Sequence, residues 1–163
     1  MTHPYDLMPL PEGGGLIFTP CPGTKEADLR SALQDLQAAG AAAVITLMPD
    51  HEMQANDAAD LPAACAELGM TWFHFPIEDD SAPTEVFEAQ WTQSSAAVLQ
   101  MLANGKTIAV HCKGGSGRTG LMVAMILLKR GVSLASATAQ VQSLRPKALQ
   151  IPAHIAYLNQ QST

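Results

Sequence analysis

Residues Thr107–Gly120 read TIAVHCKGGSGRTG. The run Ile108, Ala109, Val110 is apolar and partly β-branched, and it stops at His111. A short polar loop containing Gly114, Gly115 and Gly117 follows, and an apolar helical pattern resumes at Leu121. That order predicts a strand, a loop and a helix. Cys112 stands at the end of the strand, and five residues separate it from Arg118, the cation that opens the helix. Glycines tolerate positive φ, so consecutive amides of Lys113, Gly114, Gly115, Ser116 and Gly117 can turn inward and form a concave nest, to which the helix N-terminus adds further N–H groups. Such a cup fits a phosphate-sized anion. Arg118 closes it with a planar fork that matches two oxygens, a geometry lysine supplies less well. Cys112 would lie at the floor, where amides that hold a dianion also stabilise a thiolate.

His111 and Cys112, five residues, then Arg118 and Thr119 is a pattern that resembles the cysteine-dependent protein tyrosine phosphatase superfamily. The resemblance implies that Cys112 attacks phosphorus to give a phosphocysteine and that Arg118 binds the phosphoryl oxygens. It also implies that the Thr119 hydroxyl assists the thiolate as leaving group and that His111 orients the cup and favours the thiolate. Other readings of the same residues stand beside it. Gly115, Gly117 and Gly120 also satisfy the G-x-G-x-x-G dinucleotide fingerprint, but that reading needs an acidic residue about 20 positions on, and Glu88 is the last acid in the chain. A buried structural thiol in a tight turn is the plainer alternative.

The chain has 163 residues, nearly half of them apolar, which suits a single core. Residues 1–163 therefore read as one domain with a core of about 15–160. No apolar run approaches a membrane span, and the N-terminus lacks a basic region followed by a long apolar one. Cys21, Cys65 and Cys112 are too few and too scattered for a disulfide framework. A soluble, cytoplasmic protein is expected. The net charge of −6 is unevenly spread: all 15 acids precede residue 89, together with only Lys25 and Arg30, and the remaining seven cations follow it. That balance argues against broad nucleic-acid or membrane binding and favours small or localised phosphates.

Gly15–Thr19 reads as a first strand, and Thr24 as the cap of a helix whose first turn holds Glu26 and Asp28 and whose core face is Leu29, Leu33 and Leu36. Ala42–Met48 is a strand buried on both faces, followed by a Pro49, Asp50, His51, Glu52 loop. Pro62–Leu68 is helical, Thr71–Phe75 a third strand and Pro76–Pro83 a loop. A long helix runs from Thr84 to about Ala103, Ser133 caps another, and Pro152 opens the last. Strands alternating with helices predict an α/β domain of three layers with a mostly parallel sheet, which is also what the phosphotyrosine protein phosphatase II-like fold implies. The loops at the carboxyl ends of its strands should share one rim.

On that rim, expelling an oxygen leaving group calls for a proton donor. PIEDDSAP, residues 76–83, resembles the general-acid loop of the kinase-associated phosphatase group, which makes Asp79 the acid, with Asp80 as the other choice. Gln150, in ALQIP, resembles the glutamine that positions water for phosphocysteine hydrolysis. Glu52 reads as an exposed loop acid or as a buttress of Arg118, and Cys21 as an inert thiol or a disulfide partner of Cys112. The histidines show no metal-ligand spacing, and neither metal nor cofactor is expected.

The function that follows is a metal-independent phosphomonoester hydrolase of the tyrosine or dual-specificity type. It would act as a monomer on phosphorylated protein or on a small phosphorylated substrate. Lys113 follows the cysteine as in phosphoinositide phosphatases, so a phosphoinositide or inositol phosphate is the alternative substrate. A catalytically idle phospho-binding module, and sulfur or arsenate chemistry on a rhodanese-like cysteine loop, are the rival classes.

Overall fold

The computed structural model describes residues 3–25 and 27–162. Five strands form one sheet: β1 (Asp6–Pro9), β2 (Gly15–Thr19), β3 (Ala41–Thr46), β4 (Thr71–His74) and β5 (Thr107–His111), in the order β1-β2-β5-β3-β4. The β2, β5, β3 and β4 strands are parallel, while β1 pairs with β2 antiparallel. Among the described residues, seven helices flank the sheet: α1 (Leu29–Ala38), α2 (Asp50–Ala55), α3 (Leu61–Glu67), α4 (Glu85–Ala103), α5 (Gly117–Lys129), α6 (Leu134–Leu144) and α7 (Pro152–Gln161). Among the described residues, no helix is long and apolar enough to cross a membrane.

Alternation along the central strands fills two cores. Leu16 and Phe18, Ala43 and Ile45, and Ile108 and Val110 face a large cluster with Phe87, Leu121, Val141 and Leu158. Ile17, Val44 and Ala109 face the other side, against Leu33, Leu36 and Leu61. Both faces of the sheet are covered, which is why these strands read as continuous apolar runs.

Three local expectations need correction. The first helix starts at Leu29, with the Asp28 carboxylate accepting from the Ser31 N–H at 2.8 Å. Thr24 is not its cap, because its hydroxyl donates to the Cys21 carbonyl at 2.7 Å and closes the preceding turn. Glu26, expected in the first helical turn, lies outside the described residues. The Pro49–Glu52 stretch is not all loop: α2 begins at Asp50. Finally, β1 precedes the expected first strand, and Met8 and Leu10 join the core.

Candidate active site

The register aligns Thr19, His111, Thr46 and His74 in one row across the carboxyl ends of the parallel strands. Loops leaving that row enclose a cavity of about 400 Å³. Its wall is formed by Thr24 and Lys25 after β2, Asp79 and Asp80 after β4, and Cys112, Lys113, Gly114, Ser116, Gly117 and Arg118 after β5. Glu52, after β3, completes the rim through its contact with Arg118.

Cys112 is 3% exposed, and its Sγ is the focus of the loop. The Gly115 N–H donates to it at 3.3 Å and the Thr119 hydroxyl at 3.2 Å. Both donors are aimed at the sulfur. Ser116 precedes α5 without capping it by its side chain, so the first amides of that helix remain available beside the thiol. Gly115 has φ +80, and a Cβ there would meet Thr19 and Pro20 backbone at 2.6–2.8 Å, so only glycine fits this turn. The cup is held from outside as well: the Cys21 N–H donates to the Lys113 carbonyl at 3.0 Å, and Arg145 Nε donates to the Gly115 carbonyl at 2.9 Å.

Arg118 is buried, and Glu52 grips it in a two-pronged pair, Nη1 to Oε1 at 2.8 Å and Nη2 to Oε2 at 2.7 Å. Nη1 also donates to the Ile77 carbonyl at 3.0 Å, and Asp79 Oδ1 stands 3.5 Å from Nη2. Burial works against the guanidinium charge, but Glu52, Cys112 and Asp79 outweigh it and hold the Arg118 pKa above its ordinary value. The same hydrogen bonds hold the Glu52 carboxyl below its ordinary range. Glu52 is thus the buttress of Arg118 and not a free loop acid.

His111 is fully buried with Nδ1 3.1 Å from the Cys112 carbonyl and Nε2 2.8 Å from Thr46 Oγ1. A carbonyl only accepts, so Nδ1 carries the proton, Nε2 accepts from the Thr46 hydroxyl, and Thr46 in turn accepts from Trp72 Nε1 at 2.8 Å. Burial lowers the His111 pKa to about 4, so the ring is neutral.

Asp79 and Asp80 both face the cavity, Asp79 with its side chain 71% exposed and Asp80 with φ +58. Gln150 is exposed, its amide donates to the Pro146 carbonyl at 2.8 Å, and it is not part of the cavity wall. Cys21 is fully buried, and burial pushes its thiol up to about 12, which fits the inert reading. Nothing in the sequence marks Arg145, His154, Thr24 or Lys25 as site residues. Arg145 and His154 bind backbone carbonyls of distant loops, a role that leaves no local pattern.

A family model described as "Polymorphic toxin system, DSP-PTPase phosphatase" matches residues 22–132. The chain belongs to this family. It is a cysteine-dependent phosphatase related to the tyrosine and dual-specificity enzymes, and its substrates are phosphorylated. The phosphatase fold is shared with solved structures. Kinase associated phosphatase (KAP), in a form whose catalytic-site cysteine is replaced by serine, superposes with a TM-score of 0.85 at 20% identity over 98% of this chain and 94% of that one. Tk-PTP in its active form gives 0.71 at 26% identity, over 93% of each chain. PTPMT1 in complex with PI(5)P gives 0.68 at 17% identity, over 95% of this chain and 93% of that one.

Proposed function

We propose that this phosphatase hydrolyses phosphomonoesters without a metal, through a phosphocysteine at Cys112. The observation that carries the reading is the convergence of the Gly115 N–H and the Thr119 hydroxyl on Cys112 Sγ, beside a buried and oriented Arg118. The thiolate attacks phosphorus, an S–P bond forms, and the P–O bond to the leaving group breaks. The departing oxygen takes its electron pair and a proton from Asp79. Inward amides of residues 113–117 and the Arg118 fork hold the equatorial oxygens. In the second half, Asp79 takes a proton from water, the water oxygen attacks phosphorus, and the S–P electron pair returns to sulfur, which the Thr119 hydroxyl stabilises. His111, being neutral, acts by fixing the Cys112 backbone. Gln150 would have to swing inward from its contact with Pro146 to position that water.

The whole chain is read as one phosphatase domain acting as a monomer in the cytoplasm on phosphorylated protein. The three free, buried cysteines suit a reducing compartment.

Cys112→Ser should abolish turnover while retaining vanadate affinity. Iodoacetate at neutral pH should modify Cys112 ahead of Cys21 and Cys65, whose burial pushes them up to about 12 and about 11. Normal turnover by the serine variant would end the phosphocysteine scheme.

A second substrate class has its own support. Lys25 and Lys113 line the cavity and make no ion pair among the described residues, so they are free to meet a further anionic group on the substrate. An inositol phosphate or phosphoinositide headgroup carries one, and PI(5)P is the ligand in the PTPMT1 complex. Turnover of phosphopeptides against inositol phosphates decides between the two classes.

A further inference from the structure

We propose that His154 is a positioning residue for the proton donor, holding the Asp79–Asp80 turn over the cup through a hydrogen bond from its buried ring to the backbone of Ser81. The proposal rests on the reading of this turn as the acid loop. The loop is fixed at its start, where the Ile77 N–H donates to the Leu47 carbonyl at 2.8 Å and the Ile77 carbonyl accepts from Arg118. Glu78, Asp79 and Asp80 are then exposed, and the turn closes on itself through the Ser81 N–H, which donates to the Glu78 carbonyl at 3.1 Å, and the Ser81 hydroxyl, which donates to the Asp79 carbonyl at 3.3 Å. At the far end, the Ser81 carbonyl lies 2.9 Å from His154 Nε2. The two carboxylates are therefore carried on a span with an anchor at each end, and His154 is the second anchor.

Three features make this more than a packing contact. His154 is 0% exposed in the first turn of α7, far from the loop in sequence, so the bond ties the acid turn to a helix. Its partner is a carbonyl, so Nε2 must carry the ring proton, and Nδ1 is left without any partner. A buried nitrogen with no partner costs free energy that an apolar side chain of similar size would avoid, so packing alone gives no reason for a histidine here. The side-chain ties between this stretch and its surroundings are His51 to Glu78, exposed on both sides (72% and 54%), and the 3.5 Å approach of Arg118 Nη2 to Asp79, whose side chain is 71% exposed; neither holds the backbone of the turn.

Histidine-to-glutamine and histidine-to-leucine variants separate positioning from structure. His154→Gln places an amide N–H close to the Nε2 site, whereas His154→Leu keeps the bulk and removes the donor. On an alkyl phosphate, which needs a protonated leaving group, His154→Leu should lower kcat/KM about ten- to a hundredfold. On nitrophenyl phosphate, whose leaving group departs unaided, it should lower kcat/KM, which ends at the phosphocysteine and excludes its hydrolysis, less than about threefold. His154→Gln should stay near wild type on both. Asp79→Asn should cost less in the leucine background than alone, since the two act on one step.

Equal losses on both substrates, or no loss on either, would overturn the positioning role. If Asp79→Asn shifts the leaving-group dependence and His154→Leu does not, the acid assignment survives and only the His154 proposal fails. If neither shifts it, both fail. Should the leucine variant not fold, His154→Asn, whose amide is too short to reach Ser81, takes its place and should behave as predicted for leucine.

Discussion

Arg118 has five N–H donors, and the structure commits three of them. Nη1 uses both on Glu52 and Ile77, and Nη2 uses one on Glu52. The Nε–H and the second Nη2–H remain, side by side on one edge, the spacing that two phosphoryl oxygens require. Lysine offers no such edge, so Arg118→Lys should depress both binding and rate by well over tenfold. A loss below about threefold in kcat/KM, roughly 0.7 kcal/mol, would reduce Arg118 to a structural residue. Glu52→Gln leaves the fork present but less firmly aimed, so a loss of about fivefold to tenfold is expected, read mainly as weaker inhibition by vanadate. At this scale the sequence was legible where chemistry is local. Cys112, Arg118 and Thr119 lie on one loop and one helical turn, whereas Glu52 reaches Arg118 across 66 positions, and no spacing announces such a pair.

Elements were legible in proportion to their burial. β5 and β3 are buried almost throughout and read as apolar runs, while β1 has one buried residue, Met8, in a four-residue edge strand ending in Pro9, too little for a periodic signal. The six-residue α2 has no side-chain cap, so its start leaves no local mark in the sequence. Thr24 and Asp28 are both good caps, and the preceding turn decides between them by taking the Thr24 hydroxyl for the Cys21 carbonyl. The acid loop makes the sharpest prediction at this scale. With Asp79, near Arg118 Nη2, as the proposed donor, Asp79→Asn should lower kcat/KM for an alkyl phosphate by about 10²–10⁴ and flatten the alkaline limb of its pH profile, with a far smaller effect on kcat/KM for a nitrophenyl ester. Asp80→Asn should change little. The reverse pattern would move the acid to Asp80, whose left-handed backbone would then be the strained catalytic position.

Over the whole molecule, the sheet order follows from right-handed crossovers between parallel strands, and it gathers four loops on one rim as the strand pattern implied. The molecule also buries His3, His111 and His154, and burial lowers the pKa of each. An unfolded chain would protonate them near the ordinary value of about 6.5, while the folded chain resists. The unfolded state therefore binds more protons in that interval, and stability, complete above about pH 6.5, should fall as pH drops toward 4. His111, at about 4, accounts for a loss on the order of 3 kcal/mol. Glu52, held low by Arg118, extends the decline below the ordinary carboxylate range. Urea midpoints between pH 7.5 and 4.5 check this, and a flat profile would contradict the buried neutral rings. One bond in this network has an optical consequence. Trp72 donates its indole N–H to the same Thr46 oxygen that leads through His111 to the Cys112 backbone, so its fluorophore is wired to the cup. Filling the cup with vanadate should therefore shift the emission of Trp72 against the steadier background of Trp91, which packs edge-on against Phe75 in the apolar core.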